Sequence, residues 1–508
     1  MSDFREKETG VHHHKRHHRR PVYKKAGFYI LIASGLTLLY LMVSLYRFNI
    51  IPFIGVFILV DIEAVFLVLI WYLMIRRHRK KFRICGGIIA ALLCFFNLFM
   101  GIQIQQIIGT IDQMNDTDIH YKGNYVELYV MKDSTIEQVE DLQDRKVGLM
   151  DSMPDEQSSV MLDWVEQSGV SVNVKQYESS LKMVNDLKGR VLDAIILFQP
   201  NLSIIEDYEG LEDFSQQIRS LHQIEVEGVG LGEPDQMNVT ESPFSVLVSG
   251  IDSYGEASTA GRSDVNLLLT VNPVTRQILM LSIPRDMYVE VQNDSQEMDS
   301  DKGSMDKLTH TGIYGTEVTQ KTIEKFLDTD INFAVRVNFT TLIDLVDDLG
   351  GVDVENPNDF SIGERRFPQG TIHMDGKTAL LFSRERYSFR EGDRERGRNQ
   401  MRVVSAILNK AFSAELLKNY NSILDTVSHS VQMNIGTKDI AALVNMQLSH
   451  PSSWKIYSYS LTGSDRNEYC PALGDNAYVM IVDENVLKNA HQDITAVKNG
   501  EKPLFVSE

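Results

Sequence analysis

Three long apolar stretches near the N-terminus form the clearest pattern in the sequence. They cover about residues 26–46, 50–75 and 84–108, and each is long enough as a helix to cross a hydrocarbon core of about 30 Å. A cleavable signal peptide would explain only one of them, and no small-residue cleavage site follows the first. We therefore predict three transmembrane helices within residues 26–109, preceded by a basic cytoplasmic tail of residues 1–25.

The basic residues beside these stretches predict their orientation. One basic cluster precedes the first stretch and another separates the second from the third, whereas only Arg47 lies between the first and the second. Because Lys and Arg collect on the cytoplasmic side, we expect a cytoplasmic N-terminus and a large extracellular C-terminal part in a multi-pass protein of the cell membrane. Asp61 and Glu63 lie near the middle of the second stretch, where we expect carboxyl groups bonded to a neighbouring helix rather than a site for a partner or lipid carrier.

Short strand and helix patterns alternate over residues 118–227. The strand candidates are YVELYVM, KVGLM and VLDAIILF, and the helix candidates are STIEQVEDLQD, VMLDWVEQSG and SSLKMVNDLKGR. This alternation predicts a small extracellular α/β accessory domain with a mostly parallel sheet. Its polar residues define no ligand, so docking or spacing is the expected role. Gly, Pro and polar residues over 228–243 indicate a linker.

A second, larger pattern of strands and helices occupies residues 244–508. The strand candidates are PFSVLVSGID, NLLLTVNP, QILMLSIPR, NFAVRVNF and WKIYSYSLTG, and they alternate with amphipathic helices such as TTLIDLVDDLG and NQMRVVSAILNKAF. Such alternation predicts an α/β/α layered domain. The expected fold class is therefore α/β, with an N-terminal three-helix transmembrane region, a small accessory domain and a larger layered domain.

Charge is distributed unevenly along the chain. Residues 1–83 hold 15 basic and 5 acidic residues, a balance of +10, whereas the remaining 425 hold 35 and 64, a balance of −29. So acidic a surface disfavours nonspecific binding to nucleic acid, which depends on neutralising phosphates. The three cysteines, Cys85, Cys94 and Cys470, are too few and too scattered for a disulfide framework.

Charged residues stand at the ends of the predicted strands in the larger domain. Asp252 ends the first strand, and Arg262 and Asp264 immediately precede the second. Arg285 follows the third strand, next to Asp286. Because adjacent strand ends lie close together, these groups are expected to converge. Arginines suit phosphate oxygens, and Asp252 and Asp264 could hold Mg²⁺ together with them, so the pattern predicts a pyrophosphate site.

A cluster of arginines occupies residues 383–402. Its members are Arg384, Arg386, Arg390, Arg394, Arg396, Arg398 and Arg402. Two interpretations fit the cluster equally well: a phosphate site, or a solvated loop and helix start whose arginines pair with nearby acids. Arg396 and Gln400 are four residues apart and share one helix face, which favours a common site.

Seven motifs occur in the same order as in a known family. They are GID, GRSD, SIPRD, KLTHTGIYG, VNFTTLIDLVDDLGGVDV, HMDGKTALLFSRER and RGRNQ, within about residues 244–412. In these motifs the chain resembles the LytR-CpsA-Psr family of cell-envelope phosphotransferases. Its order of basic tail, membrane spans, accessory domain and catalytic domain is most similar to that of the streptococcal capsule proteins in the family.

The resemblance implies an enzyme that needs Mg²⁺ or Mn²⁺. It would move capsular polysaccharide or exopolysaccharide from a polyprenyl-pyrophosphate carrier to peptidoglycan, outside the cell membrane. The implied partners are the lipid-linked polysaccharide, the peptidoglycan acceptor, membrane lipid and other capsule-assembly proteins. Family members also hold the polyprenyl tail in an apolar tunnel, which LVDDLGGV and TALLF would help to line.

The resemblance also implies roles for individual residues. Asp252 and Asp264 match the metal ligands. The residues that match the phosphate-binding positions are Arg262, Arg285, Arg384, Arg386, Arg396 and Gln400. Lys307 matches a motif lysine, and Asp393 and Asp286 are the candidates for a general base. The chain departs from the family pattern at Asn399, where many members have an arginine that Arg398 would replace here.

Two other functions remain compatible with the sequence. A membrane-bound regulator of capsule expression would bind DNA through basic residues, but the arginine cluster is expected outside the cell. A noncatalytic scaffold would bind the lipid-linked glycan and control polymer length without turnover.

Overall fold

The computed structural model describes most of the chain after the N-terminal tail. The described residues are 26–48, 53–76, 79–114, 124–206 without 152 and 154, 208, 210–226, 231–251 without 233, 261–292, 305–412 and 431–506. The chain divides into two compact units, Met1–Gln106 and Ile107–Glu508.

Apolar helices make up the first unit. They are α1 (Ala26–Phe48), α2 (Phe53–Trp71), which continues as a π-helical turn to Arg76, and α3 (Lys80–Met114), which extends beyond the unit. Within the described residues, two segments are long and apolar enough to cross a membrane, Ala26–Leu45 and Lys80–Gln105. These helices support a membrane anchor. The first and the third of the three predicted spans are therefore supported within the described residues, and the number of spans stays a prediction.

The acidic residues of α2 have different environments. Glu63 is buried beside Asn97 of α3, whereas Asp61 is exposed. A carboxyl in an apolar bundle is expected to face another helix. Glu63 does face α3, but no hydrogen bond joins it to Asn97 among the described residues, and Asp61 is exposed, because the two side chains lie two positions apart and so point to different sides of α2.

The second unit begins with a five-stranded mixed sheet. Its strands are β1 (Tyr125–Met131), β2 (Lys146–Met150), β3 (Asn173–Tyr177), β4 (Ala194–Phe198) and β5 (Ile218–Glu225), in the order β3-β2-β4-β1-β5. Its helices are α4 (Asp155–Gln167), α5 (Ser180–Lys188), α6 (Leu202–Ile205) and α7 (Phe214–Gln217). We call this part the accessory sheet.

The accessory sheet is not mostly parallel, so that prediction is wrong. β2 pairs in parallel with β3 and β4, but β1 pairs antiparallel with β4 and β5. The difference arises because IRSLHQIE forms an antiparallel edge strand that the sequence patterns did not reveal. The helix predicted for STIEQVEDLQD is also wrong. Only a 3₁₀ turn forms at Val139–Leu142, where the Asp141 carboxylate accepts hydrogen bonds from the backbone of Glu137 and Gln138.

The rest of the second unit contains fourteen described strands and seven described α-helices. The strands are β6 (Phe244–Gly250), β7 (Val265–Asn272), β8 (Gln277–Ser282), β9 (Tyr288–Glu290), β10 (Met305–Lys307), β11 (Phe333–Val337), β12 (Val352–Asn356), β13 (Phe360–Ile362), β14 (Arg365–Phe367), β15 (Gly370–Met374), β16 (Gln432–Met433), β17 (Lys455–Ser460), β18 (Gly463–Cys470) and β19 (Asp475–Val482). The helices are α8 (Leu308–Thr311), α9 (Thr316–Leu327), α10 (Phe339–Asp348), α11 (Gly376–Arg384), α12 (Asp393–Ala411), α13 (Thr437–Ser449) and α14 (Glu484–Lys498).

A six-stranded sheet forms the centre of this region, in the order β16-β11-β6-β7-β8-β17. Successive residues of a strand point to opposite faces, so Leu279 and Met280 of β8 enter different apolar clusters. The Leu279 cluster includes residues of α9 and α14, and the Met280 cluster includes residues of α12 and α13. Helices therefore cover both faces of a mixed sheet, and the α/β fold class is confirmed.

Helices α10 and α11 pack closely against each other beside this sheet. The side chains of Asn338 and Asp375 cap the two helices by accepting hydrogen bonds from backbone N–H groups of the first turn. A Cβ atom at Gly376 would overlap the backbone oxygen of Ile343, so only glycine permits this approach. Both runs expected to line a lipid tunnel contribute to one apolar cluster here, which contains Val346 and Ala379 among others. The tunnel stays a prediction.

Candidate functional site

The ends of three central strands bring most of the described candidate residues together. At the start of β7, the N–H of Ser263 donates to the backbone oxygen of Thr309 (3.0 Å) and the N–H of Asp264 to that of Gly250 (2.9 Å). The Ser263 hydroxyl also lies 2.7 Å from the hydroxyl of Ser249 on β6. These bonds fix the Asp264 backbone where strand β7 begins, beside the end of β6.

Asp264 is bound by three donors. Its Oδ1 accepts hydrogen bonds from Arg285 Nη1 (2.8 Å) and Thr309 Oγ1 (3.1 Å), and its Oδ2 lies 3.5 Å from Arg262 Nη2. Burial alone would raise the pKa of Asp264, but the charges of Arg262 and Arg285 outweigh burial and hold that pKa below its usual value. Asp264 is therefore an ionised carboxylate inside the site.

Arg285 lies between two carboxylates and is close to Lys307. Burial opposes its charge, but Asp264 and Asp286 outweigh burial and raise the pKa of Arg285. The Lys307 ammonium lies 3.2 Å from Asp286 Oδ1. Arg285 Nε is buried without a hydrogen-bond partner among the described residues and lies 3.7 Å from Asp286 Oδ2. Two carboxylates and burial therefore hold the Arg285 guanidinium in place at the site.

The first turns of α12 close the other side of the pocket. Asp264, Arg285, Asp393, Arg396 and Gln400 all line it. Arg396 Nη2 lies 2.5 Å from Asp393 Oδ1. Burial lowers the pKa of Arg396, and the charge of Asp393 partly offsets that effect. The spacing of Arg396 and Gln400 thus places both side chains in one pocket with Asp264. We call this the phosphate pocket.

Arg384 and Arg386 were predicted to bind phosphate, but they are not among the residues that line the phosphate pocket. Arg384 is exposed at the end of α11, and its guanidinium lies 4.2 Å from the centre of the Phe339 ring. Arg386 is close enough to Arg396 for its charge to lower the pKa of Arg396, and it donates a hydrogen bond to the hydroxyl of Tyr387 (2.7 Å).

Acidic neighbours neutralise the remaining arginines of α12. Arg398 pairs with Glu391 and Glu395, and Arg402 donates to Glu395 at 2.7 Å. Asn399 is buried and accepts a hydrogen bond from Arg402 at 2.5 Å. The interpretation as a helix start with paired charges is therefore correct for Arg398 and Arg402. Arg398 is not among the residues that line the phosphate pocket.

Of the two predicted metal ligands, Asp264 is described and Asp252 lies outside the described residues. The described part of the chain contains no group of three or more His, Cys, Asp or Glu side chains suited to a metal ion. Asp264 fits a single ligand position, because it is an ionised oxygen donor whose Oδ2 has only a long contact with Arg262. Mg²⁺ typically takes one or two carboxylates together with phosphate oxygens.

An open cleft of about 380 Å³ adjoins the phosphate pocket. The two share Asp393 and Arg394. Asp286 also lines the cleft, so both candidate bases reach it. Its outer wall comes from the hairpin of β18 and β19, where Tyr478 donates a hydrogen bond to Asp465 (3.0 Å). The cleft is polar and carries one exposed aromatic side chain.

The family model for LytR_cpsA_psr matches residues 215–495, more than half of the chain. The chain belongs to the LytR-CpsA-Psr family. The match begins in α7 of the accessory sheet and ends in α14, so it extends beyond the motifs recognised at residues 244–412.

Known relatives agree with this assignment. The polyisoprenyl-teichoic acid–peptidoglycan teichoic acid transferase TagU of Bacillus cereus is 34% identical over 203 residues, which cover 40% of this chain and 64% of that protein. The chain thus spans slightly less than two thirds of this relative. TagU of Enterococcus faecalis is 31% identical over 53% of this chain and 84% of its own length. The crystal structure of B. subtilis TagV is 30% identical, with a TM-score of 0.43, over 52% of this chain and 99% of that one.

Two features of this LytR-CpsA-Psr site were not predicted from the sequence. Arg336 is fully buried in β11, where it donates to Thr316 Oγ1 (2.7 Å) and to the backbone oxygen of Gly261 (3.3 Å). Burial lowers its pKa to about 9. One feature of the sequence could have pointed to Arg336, namely a single charged residue inside the apolar run FAVRV. Thr309, which binds Asp264, is the third residue of the KLTHTGIYG motif, but a threonine inside a motif does not identify its hydrogen-bond partner.

Proposed function

We propose that this chain is a membrane-anchored enzyme that transfers a glycan phosphate from a polyprenyl-pyrophosphate carrier to peptidoglycan. Membership of the LytR-CpsA-Psr family and the transferase names of its relatives support this reaction class. The observation that carries the proposal is the phosphate pocket itself. It places a buried, ionised Asp264 between Arg262 and Arg285, with Arg396 on the opposite wall.

The proposed donor matches both the anchor and the pocket. A polyprenyl tail lies in the bilayer, so apolar helices would keep the enzyme at the height of the pyrophosphate. The relatives are named for teichoic acid, whereas the resemblance to capsule proteins favours capsular polysaccharide or exopolysaccharide for this chain. We propose the latter, with the enzyme's larger part outside the membrane.

Arginine guanidiniums would bind the pyrophosphate. Arg285 and Arg396 offer planar N–H donors to phosphate oxygens, and Arg262 adds a third charge at the same strand end. Asp252 and Asp264 would hold Mg²⁺, which would supply positive charge to the pyrophosphate. Catalysis would then rest on positioning and on stabilisation of the negative charge that develops on the oxygens.

The reacting atoms follow from this arrangement. A hydroxyl oxygen of a peptidoglycan sugar attacks the phosphorus on the glycan side of the pyrophosphate and forms a new P–O bond. The bond between that phosphorus and the bridging oxygen breaks, and polyprenyl phosphate leaves with the electron pair. The hydroxyl proton passes to a carboxylate. Asp393 and Asp286 are the candidates, because both line the cleft in which the acceptor would lie.

The test uses the full chain in detergent with Mg²⁺, a short-chain polyprenyl-pyrophosphate oligosaccharide and a peptidoglycan fragment. Mass spectrometry should detect the coupled product. Asp264→Asn should lower the transfer rate at least about 100-fold, since it removes one charge from a site that depends on preorganised charges. Asp359→Asn is the matched control, because this aspartate is largely exposed and pairs with Arg366 on the hairpin of β13 and β14.

Two results would contradict the proposal. Full transfer by Asp264→Asn would exclude the phosphate pocket as the active site. Tight binding of the donor by the unaltered chain without any product, in the presence of acceptor, would instead favour the noncatalytic scaffold.

A further inference from the structure

The accessory sheet contacts Arg262, which is not among the residues that line the phosphate pocket but lies beside Asp264, which is. Nη1 of Arg262 donates a hydrogen bond of 3.1 Å to the backbone oxygen of Ser203, which lies in α6. The same guanidinium approaches Asp264 through Nη2. The Arg262 side chain is only 13% exposed, so this contact lies inside the protein and not on its surface.

A second contact joins the accessory sheet to the β18–β19 hairpin. The backbone oxygen of Leu473, in the hairpin turn, accepts hydrogen bonds from Ser180 N (3.2 Å), Ser180 Oγ (3.0 Å) and Tyr208 Oη (3.2 Å). Leu473 also belongs to the apolar core of the accessory sheet. Gly474 has φ = +68°, and a Cβ atom there would overlap the backbone oxygen of Glu178. The turn therefore fits the accessory sheet only with glycine at this position.

The hairpin also contacts the residues beside Arg285, among them Asp286, which lines the adjoining cleft. The N–H of Ala472 donates to Asp306 Oδ2 (2.9 Å), and Asp306 directly precedes Lys307. The N–H of Met480 donates to the backbone oxygen of Asp286 (2.7 Å), the residue that pairs with Lys307. The accessory sheet thus borders the site at two places, through Arg262 and through the hairpin.

We propose that the accessory sheet is a positioning part of the transferase site, with the Ser203 carbonyl holding the Arg262 guanidinium towards the phosphate pocket. This inference rests on the proposed function and extends it, because docking or spacing was the only role expected for this domain. A backbone carbonyl orients a guanidinium without cancelling its charge. The same guanidinium also pairs with Asp264, so the carbonyl sets its direction while the carboxylate keeps it beside the pocket.

The first variant disturbs the docking of the β18–β19 hairpin on the accessory sheet, and its control tests for effects of backbone strain alone. Gly474→Ala adds a methyl group that clashes with the accessory sheet. Gly169→Ala is the matched control, because Gly169 has φ = +79° but no atom within 4 Å of its Cβ position. Both variants carry the same left-handed backbone strain, and only the first disturbs the docking of the hairpin. Neither residue belongs to the phosphate pocket.

The measurement is the dissociation constant of farnesyl pyrophosphate with Mg²⁺, on the full chain in detergent. Gly474→Ala should weaken binding about ten-fold, the effect of losing a hydrogen bond to a charged group, and Gly169→Ala should leave it unchanged. In an Arg262→Ala background, Gly474→Ala should have a clearly smaller effect, because the contribution that passes through Arg262 is already lost and only the contribution that passes through the hairpin remains. A general structural defect would weaken binding equally in both backgrounds.

Tyr208→Phe provides a milder variant if Gly474→Ala fails to fold, since it removes one donor to Leu473 and adds no atoms. It should weaken binding in the same direction, and again by less in the Arg262→Ala background. Equal effects in both backgrounds, or no effect of either variant, would overturn the inference while leaving the proposed function intact. Failure of the unaltered chain to bind farnesyl pyrophosphate would overturn the proposed function, and the inference with it.

Discussion

Gly312 offers a direct test of how the loop before β7 positions the site. It follows α8 with φ = −65°, a conformation open to any residue, so alanine there introduces no backbone strain. A Cβ atom would nevertheless overlap the backbone oxygen of Gly261 and lie 2.7 Å from the backbone nitrogen of Ser263. Both contacts are with the segment that carries Arg262 and Asp264.

The size of the effect follows from these contacts. Ordinary contact with a Cβ atom begins near 3.4 Å, so the Ser263 nitrogen lies about 0.7 Å too close and the Gly261 oxygen closer still. Because both are backbone atoms, the loop must move as a whole. Overpacking of this kind costs about 1–3 kcal/mol of folding free energy. A displacement of about 1 Å at the reacting groups lowers the rate about 100-fold.

Transfer assays and chemical denaturation of Gly312→Ala would measure the two effects separately. Gly436→Ala is the control, because Gly436 has φ = −68° and its nearest neighbour is the flexible carboxylate of Asp439 at 3.3 Å. We expect Gly312→Ala to keep its fold at 25 °C but to lose kcat/KM about 100-fold. Activity within about three-fold of the control would refute the claim that the loop's position sets the geometry of the site.

Three other changes follow from the charges around the site. Asp264→Asn should lower the free energy of unfolding near neutral pH, and the difference from the unaltered chain should disappear only below about pH 4, because the folded pKa lies beneath the unfolded one. Glu395→Gln should cost about 1–3 kcal/mol by denaturation, since this buried carboxylate serves two arginines, whereas Glu391→Gln at an exposed position should be nearly neutral. In titrations with farnesyl pyrophosphate, Arg384→Ala should weaken binding less than Arg396→Ala, because only the latter residue lines the phosphate pocket; equal losses would contradict this.

The candidate site was predicted best from the sequence where charged residues lie at the ends of strands. Arg262, Asp264 and Arg285 flank buried strands whose order in the sheet follows their order in the chain, so their convergence could be predicted. Arg396 and Gln400 were predictable for a similar reason, because the helical repeat alone places them on one face. The motifs added the resemblance to the LytR-CpsA-Psr family, and the family match then confirmed that membership.

Contacts formed by tertiary structure could not be predicted in this way. The partner of Arg262 in the accessory sheet is the Ser203 backbone oxygen. Every residue has a backbone carbonyl, so the sequence cannot show which of them is the partner. The direction of a side chain decides whether an arginine lines the phosphate pocket or pairs with a neighbouring glutamate. Arg396 lines the pocket and Arg398 pairs with Glu391, although they lie only two residues apart. The edge strand β5 was missed because its alternation includes polar residues on both faces.

The parallel pairing of β17 with β8 sets the order in which the active site can come into existence. Ser460, at the end of β17, lines the phosphate pocket beside Ser282 of β8, although 178 positions separate them along the chain. A chain emerging from the ribosome contains every arginine of the pocket well before it contains this strand. Until residue 460 has been synthesised, β8 is an open sheet edge and the pocket lacks a wall. A protein truncated soon after the arginine-rich helix would therefore lack part of the phosphate pocket and would be prone to aggregate through the unpaired edge of β8.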